Sequence, residues 1–149
     1  MLLLSRRSLL AIAAVVDVAL HARPMPVVAR ALAARHNLPP RHLEAVLQIL
    51  VRRGILKGTR GPRGGYELAR ERRRITAGEV VRAAMTGTGE EALPPLAQSR
   101  LVDTVVEPVV TRAASAFLRE LDAITIDDLC REAEAQNTIG SAGTGDFTI

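Results

Sequence analysis

The sequence has almost no aromatic side chains: Tyr66, Phe117 and Phe147 are all it contains, and tryptophan is absent. Its core must therefore be built from alanine, leucine, valine and isoleucine, and it offers no aromatic platform for stacking unpaired bases. Cysteine is equally scarce. Cys130 stands alone, which excludes an internal disulfide and any multi-cysteine metal site. With three histidines and no nucleophile motif, no catalytic constellation assembles, and an enzyme is not expected. Long apolar runs are missing too. The stretch Leu9 to Val16 ends at Asp17 after 8 residues, far short of the roughly 20 that span a bilayer.

What is present is the balance of a globular domain: 149 residues, 48% hydrophobic and 24% charged, enough for one core plus an extension. The charge is segregated. Residues 1–83 carry 16 basic and 5 acidic side chains, a net +11, whereas residues 84–149 carry 4 basic and 11 acidic ones, a net −7. A basic front half is the electrostatic footprint of a polyanion binder, with nucleic acid the first candidate and an anionic membrane the second.

Ser5-Arg6-Arg7-Ser8 before Leu9 to Val16 has the look of an export signal. The charge of Asp17 and the basic segment that follows favour a buried first helix instead, capped by Ser5 and carrying Asp17 on its exposed side. Pro24 and Pro26 end that helix and open a second, which runs to about Arg35. Asn37-Leu38-Pro39-Pro40 is a turn. A third helix shows Leu43, Val46, Leu47, Leu50 and Val51 at three- and four-residue spacing and stops at Gly54. Two extended segments around Gly61-Pro62-Arg63-Gly64-Gly65 then read as a hairpin.

The run Arg70, Arg72, Arg73 and Arg74 is as readily a solvated face as a binding one. Thr76 with Glu79 forms a capping box for a fourth helix through Val80, Val81 and Ala84. A long helix is expected over about 98–122, kinked or broken at Pro108. Thr125 caps a last short one, with Asp127 and Asp128 in its first turn.

These elements predict a fold that is mainly α with a small β-hairpin wing: a winged helix-turn-helix followed by a long C-terminal helix. Residues 1–85 form the DNA-binding domain, 86–97 a loop, 98–136 the long and terminal helices, and 137–149 a disordered tail. The helix at 40–53 suits a major groove. A glycine-tipped hairpin with Arg60 and Arg63 suits the minor groove, whose negative potential attracts arginine.

The stretch Leu43-Glu44 … Leu50 … Gly54-Ile55-Leu56, then Arg60-Gly61-Pro62-Arg63-Gly64-Gly65-Tyr66-Glu67-Leu68-Ala69-Arg70, then Ile75-Thr76 … Glu79-Val80-Val81-Arg82-Ala83, resembles the Rrf-two family of bacterial transcription regulators. Ser5, Asp17-Val18-Ala19-Leu20, Phe117-Leu118 and Ile124-Thr125-Ile126 … Asp128-Leu129 extend the likeness to about residues 1–135. The resemblance implies a cytoplasmic regulator, a repressor in sense, that binds a palindromic operator in double-stranded DNA as a homodimer. By position it places Arg6, Arg41, His42, Glu44, Ala45, Arg52, Arg53, Arg60, Gly61, Arg63 and Gly64 at DNA. Arg52 and Arg53 read equally as a solvated helix end. Tyr66 reads as a packing residue of the wing, and His21 and His36 as surface positions near helix ends.

An apolar stripe, Val102, Val106, Val109, Ala113, Phe117 and Leu121, runs along the long helix. A core-facing helix of a monomer would show the same stripe; the resemblance implies a dimer interface.

IscR-like and NsrR-like members hold an iron–sulfur cluster on three cysteines between the fourth and the long helix. Here residues 85–106 contain neither cysteine nor histidine, so no cluster and no metal are expected. Cys130 reads as a small buried hydrophobe. The signal would then come from a small-molecule or protein effector. Two other uses of the basic surface stay open: a winged-helix module for protein–protein contact, and an RNA-binding protein.

Overall fold

The computed structural model describes residues 4–23, 25–85 and 99–136. Helix α1 (Arg6–His21) opens on Ser5, whose Oγ accepts the Ser8 backbone N–H at 3.1 Å and so satisfies one of the first-turn donors. It buries Ala11, Ala14, Val15 and Val18. The rest of the core gathers around it: Leu32 from α2 (Ala29–Arg35), Leu43, Leu47 and Leu50 from α3 (Pro40–Arg52), and Val80 from α4 (Ala77–Met85). No helix among the described residues is long and apolar enough to cross a membrane.

Asp17 is not on the exposed side of α1. It is buried, and Arg35 at the end of α2 grips it with two hydrogen bonds, Nε to Oδ2 at 2.9 Å and NH2 to Oδ1 at 2.6 Å. His36 Nε2 lies 3.1 Å from Oδ2, and His21 Nδ1 lies 3.3 Å from Oδ1. So His21 and His36 are not plain surface positions either. A charge expected in water is folded inward because the chain returns a guanidinium to meet it, and the carboxylate in turn raises the Arg35 pKa.

Helix α2 begins three residues later than Pro26 suggests, at Ala29. Before it, Val27 exchanges two backbone hydrogen bonds with Tyr66, at 2.9 and 2.7 Å, so the wing gains a third short extended segment. The placement of Pro24 lies outside the described residues. Between α2 and α3 the chain turns at Asn37, with φ +58°, a conformation asparagine tolerates. Helix α3 ends as expected. Ile55 N–H returns to the Leu50 carbonyl at 3.0 Å, and Gly54 takes φ +75°, the left-handed cap that closes a helix and turns it into a strand.

Strands β1 (Leu56–Thr59) and β2 (Gly65–Leu68) pair antiparallel, Leu56 opposite Leu68 and Thr59 opposite Gly65. The arginine run that follows is not a uniformly solvated face. It forms a short 3-10 turn, Arg72–Arg74, from which Arg72 Nε reaches Asp127 at 2.7 Å, while Arg70 pairs with Glu79. Thr76 Oγ1 does accept the Glu79 N–H at 3.1 Å. The Glu79 carboxylate, expected to fold back on the cap, is directed to Arg70 instead.

In the rear part Pro108 lies in the first turn of α5 (Glu107–Asp122) and is preceded by a π-helical turn, Val102–Val106, in which Glu107 N–H bonds the Val102 carbonyl. Proline has no N–H for the fourth carbonyl back and its ring crowds that carbonyl, so the turn ahead of it widens. Helix α6 (Ile126–Ala135) carries a full capping box: Thr125 Oγ1 accepts Asp128 N–H, and Asp128 accepts Thr125 N–H at 2.9 Å. These bonds hold the Asp128 carboxyl below the usual range.

The sequence groups α6 with the rear helix, yet its Ile126 and Cys130 are fully buried in the same core as α1. Ala77 N–H to Ile124 and Ile126 N–H to Ile75, both at 2.8 Å, stitch it to the start of α4. The expected loop at 86–97 and the tail at 137–149 lie outside the described residues.

Candidate nucleic-acid interface

Helix α3 buries Leu43, Val46, Leu47 and Leu50. At roughly 100° per residue, the pole opposite that buried face is occupied by positions 41, 45, 48 and 52, with 44 and 42 on its flanks. All six side chains (Arg41, His42, Glu44, Ala45, Gln48 and Arg52) are exposed. The burial of the apolar face thus points the polar one outward. Pro39 and Pro40 start the helix sharply, so Arg41 and His42 fall in its first turn.

The wing stands beside this helix. Between the two lies a groove of about 510 Å³, lined by Gln48, Val51, Arg52, Gly58, Thr59, Arg60, Gly65 and Tyr66. Arg41, Arg52, Arg60 and Arg63 are exposed, and none makes a side-chain hydrogen bond or ion pair with the described residues. Arginines without carboxylate partners leave their guanidinium donors available to an external anion. Half-buried Tyr66 packs against the core cluster, as expected of a wing-packing residue.

Of the residues read from sequence, the structure gathers Arg52 and Arg60 at the groove and keeps Arg41, His42, Glu44 and Ala45 on the exposed side of α3. Arg53 and Arg63 are exposed but do not line the groove, and Gly61 is an exposed loop residue at φ +104°. Arg6 is exposed in the first turn of α1 and does not line the groove.

Gly64, read from sequence as lying at DNA, is buried, and a β-carbon there would sit 2.0 Å from the Thr59 carbonyl oxygen, so its missing side chain lets the loop close. Gln48 was missed. The spacing 41, 45, 48, 52 on a helix whose buried face was already legible was the signal for it.

The rear stripe is only partly as read. Val106, Val109 and Ala113 are exposed, whereas Val102, Phe117 and Leu121 are half-buried within the protomer. Leu101, Val105 and Val110 join the exposed apolar set; the adjacent pairs at 105–106 and 109–110 were the sequence signal for that breadth. The lower end of α5 is tied to the front part. Asp122 accepts two hydrogen bonds from Arg82 on α4, at 2.5 and 3.0 Å, and lies over Gly78, where a β-carbon would clash with it.

Comparison with known proteins follows the same lines. The family model described as "Rrf2: Iron-dependent Transcriptional regulator" matches residues 4–132. The protein slr0846 of Synechocystis, named for an HTH-type transcriptional regulator, is 34% identical over 137 residues, covering 89% of this chain and 90% of its own length. Among solved structures, T. potens IscR superposes with a TM-score of 0.69 at 27% identity, over 97% of this chain and 93% of that one. CymR, the global cysteine regulator of B. subtilis, gives 0.67 at 25% identity, over 89% and 98%.

Proposed function

The chain belongs to the Rrf2 family of DNA-binding transcriptional regulators, and from that premise we propose that it is a repressor which binds a palindromic duplex operator as a homodimer in the cytoplasm. One observation carries the DNA reading. Gln48 and Arg52 from the exposed pole of α3 and Arg60 from the wing line a single groove, and both arginines lack partners among the described residues. Helix α3 enters the major groove, the strand of phosphates crosses the concavity, and Arg60 reaches the adjacent minor groove.

The test is titration of duplex operators recovered by genomic footprinting. Arg60→Ala is expected to weaken the best of them by about 1–3 kcal/mol. Unchanged affinity removes Arg60 from the interface.

The dimer reading is supported by the exposed side chains Leu101, Val105, Val106, Val109 and Val110, which together form an apolar surface of a kind soluble monomers seldom leave uncovered. A two-fold pairing through them sets two α3 helices on one side, spaced by a DNA turn or a multiple of it.

The family description names iron, and the donors of this chain do not fit an iron–sulfur cluster. Cys130 is its one thiol and is fully buried; burial pushes its pKa up, away from the thiolate a cluster needs, although nearby Arg72 opposes the shift. Among the described residues no three histidine, cysteine or acidic side chains are grouped to hold a metal. The protein reconstituted anaerobically with iron and sulfide is therefore expected to be colourless; a stoichiometric visible absorption band overturns this.

A further inference from the structure

We infer that Gln48 is a specificity-determining residue that reads an A·T pair in each operator half-site, an inference that rests on the DNA-binding reading above. Its position is the first reason. Gln48 stands at the pole of α3 opposite the buried Leu43, Val46, Leu47 and Leu50, on the line of Arg41, Ala45 and Arg52. When a recognition helix lies in a major groove, its exposed pole faces the base edges, because the opposite face is held in the core.

The second reason is what surrounds it. Ala45, a turn before, is too short to reach past its own methyl group, so the space toward the base edges is left to the next long side chain. Arg52 and Arg60 share the groove with Gln48 and bring the charge that phosphates attract. A neutral amide beside them brings no charge to a phosphate contact. The amide is also free: it is exposed and makes no side-chain hydrogen bond with the described residues.

The third reason is chemical. An amide presents an N–H donor and a carbonyl acceptor side by side. The edge of adenine in the major groove presents the complement, N7 accepting and the N6 amino group donating, so both bonds form at once. No other base offers that pair in the same order. Ala45 then suits the methyl group of a neighbouring thymine.

The experiment is selection of bound duplexes from a random library by the full chain and by Gln48→Ala and Gln48→Glu, with thermal unfolding of each protein as the folding check. Because Gln48 is exposed, both variants are expected to melt with the parent. The parent should select an A·T pair at one position of each half-site. Gln48→Ala should lose preference at that position alone, its A·T discrimination falling by roughly 5- to 100-fold. Gln48→Glu, which only accepts, should shift the choice to a C·G pair through the cytosine amino group. The inference falls if all three select the same bases there, or if both variants weaken every duplex equally, the mark of a phosphate contact. If the parent selects no sequence at all, the DNA-binding reading itself fails, which is a different result.

Discussion

Val109→Asp is expected to sediment as a monomer and to lose operator binding. The side chain is about half exposed in the protomer, so a carboxylate there meets water when the chain is alone and costs its own fold little. In the proposed dimer the same carboxylate leaves water for the valine-rich face formed by Val105, Val106, Val109 and Val110 of a second copy. Burying an unpaired charge without hydrogen bonds is strongly unfavourable. A penalty of about 3 kcal/mol per dimer already raises the dissociation constant more than a hundredfold.

Two-fold symmetry places both carboxylates in one interface, which adds repulsion. Operator affinity follows, because a lone winged domain engages half a palindrome. Phe117→Asp is the less clean version of the test: Phe117 is half-buried in the protomer, and a charge there also disturbs the packing of α5. Sedimentation and operator titration decide the matter. A Val109→Asp protein that stays dimeric with intact binding moves the interface elsewhere.

Asp17→Ala should unfold with a stability loss of about 3 kcal/mol, the effect of removing one partner from a buried ion pair. Asp17 is 6% exposed, and it faces Arg35, His36 and His21 at 2.6, 3.1 and 3.3 Å. Its removal leaves a guanidinium partly withdrawn from water with no counter-charge, and it frees α2 from α1. Because α2 precedes the recognition helix directly, DNA binding should weaken along with stability. Urea unfolding measures the loss, and Arg35→Ala with the double variant measures the coupling. Additive effects of the two substitutions, or an Asp17→Ala unfolding free energy within about 0.5 kcal/mol of the parent, would show that the pair is incidental.

The two substitutions separate cleanly. Val109→Asp acts on association and spares the protomer; Asp17→Ala acts within the protomer and spares the apolar face. Operator binding falls in both, so sedimentation and urea midpoint together identify the cause in each case.

Much of this protein is written in short-range signals. The Ser5 and Thr125 caps, the prolines that start α3, the left-handed Gly54, the four-residue apolar spacing of α3 and the glycine-rich wing all act within one or two turns of chain, so local propensity and local hydrogen bonding are enough to place them. The same locality made the exposed side of α3 readable, because burying one face of a helix determines the other.

What only the tertiary structure decided are matters of long-range pairing. The inward turn of Asp17 depends on Arg35, 18 residues on, and the engagement of Arg72 depends on Asp127, 55 residues on. Pairing Val27 with Tyr66 moved the start of α2. Gly64 is required by the backbone of Thr59, which occupies the place of a β-carbon. Helix α6 joined the core of α1, although sequence order set it beside the long helix. A charged side chain reads as exposed until its counter-ion is in place, and a glycine reads as permissive until its neighbour is. Each of these outcomes depends on what the folded chain brings alongside, which periodicity along one segment does not carry.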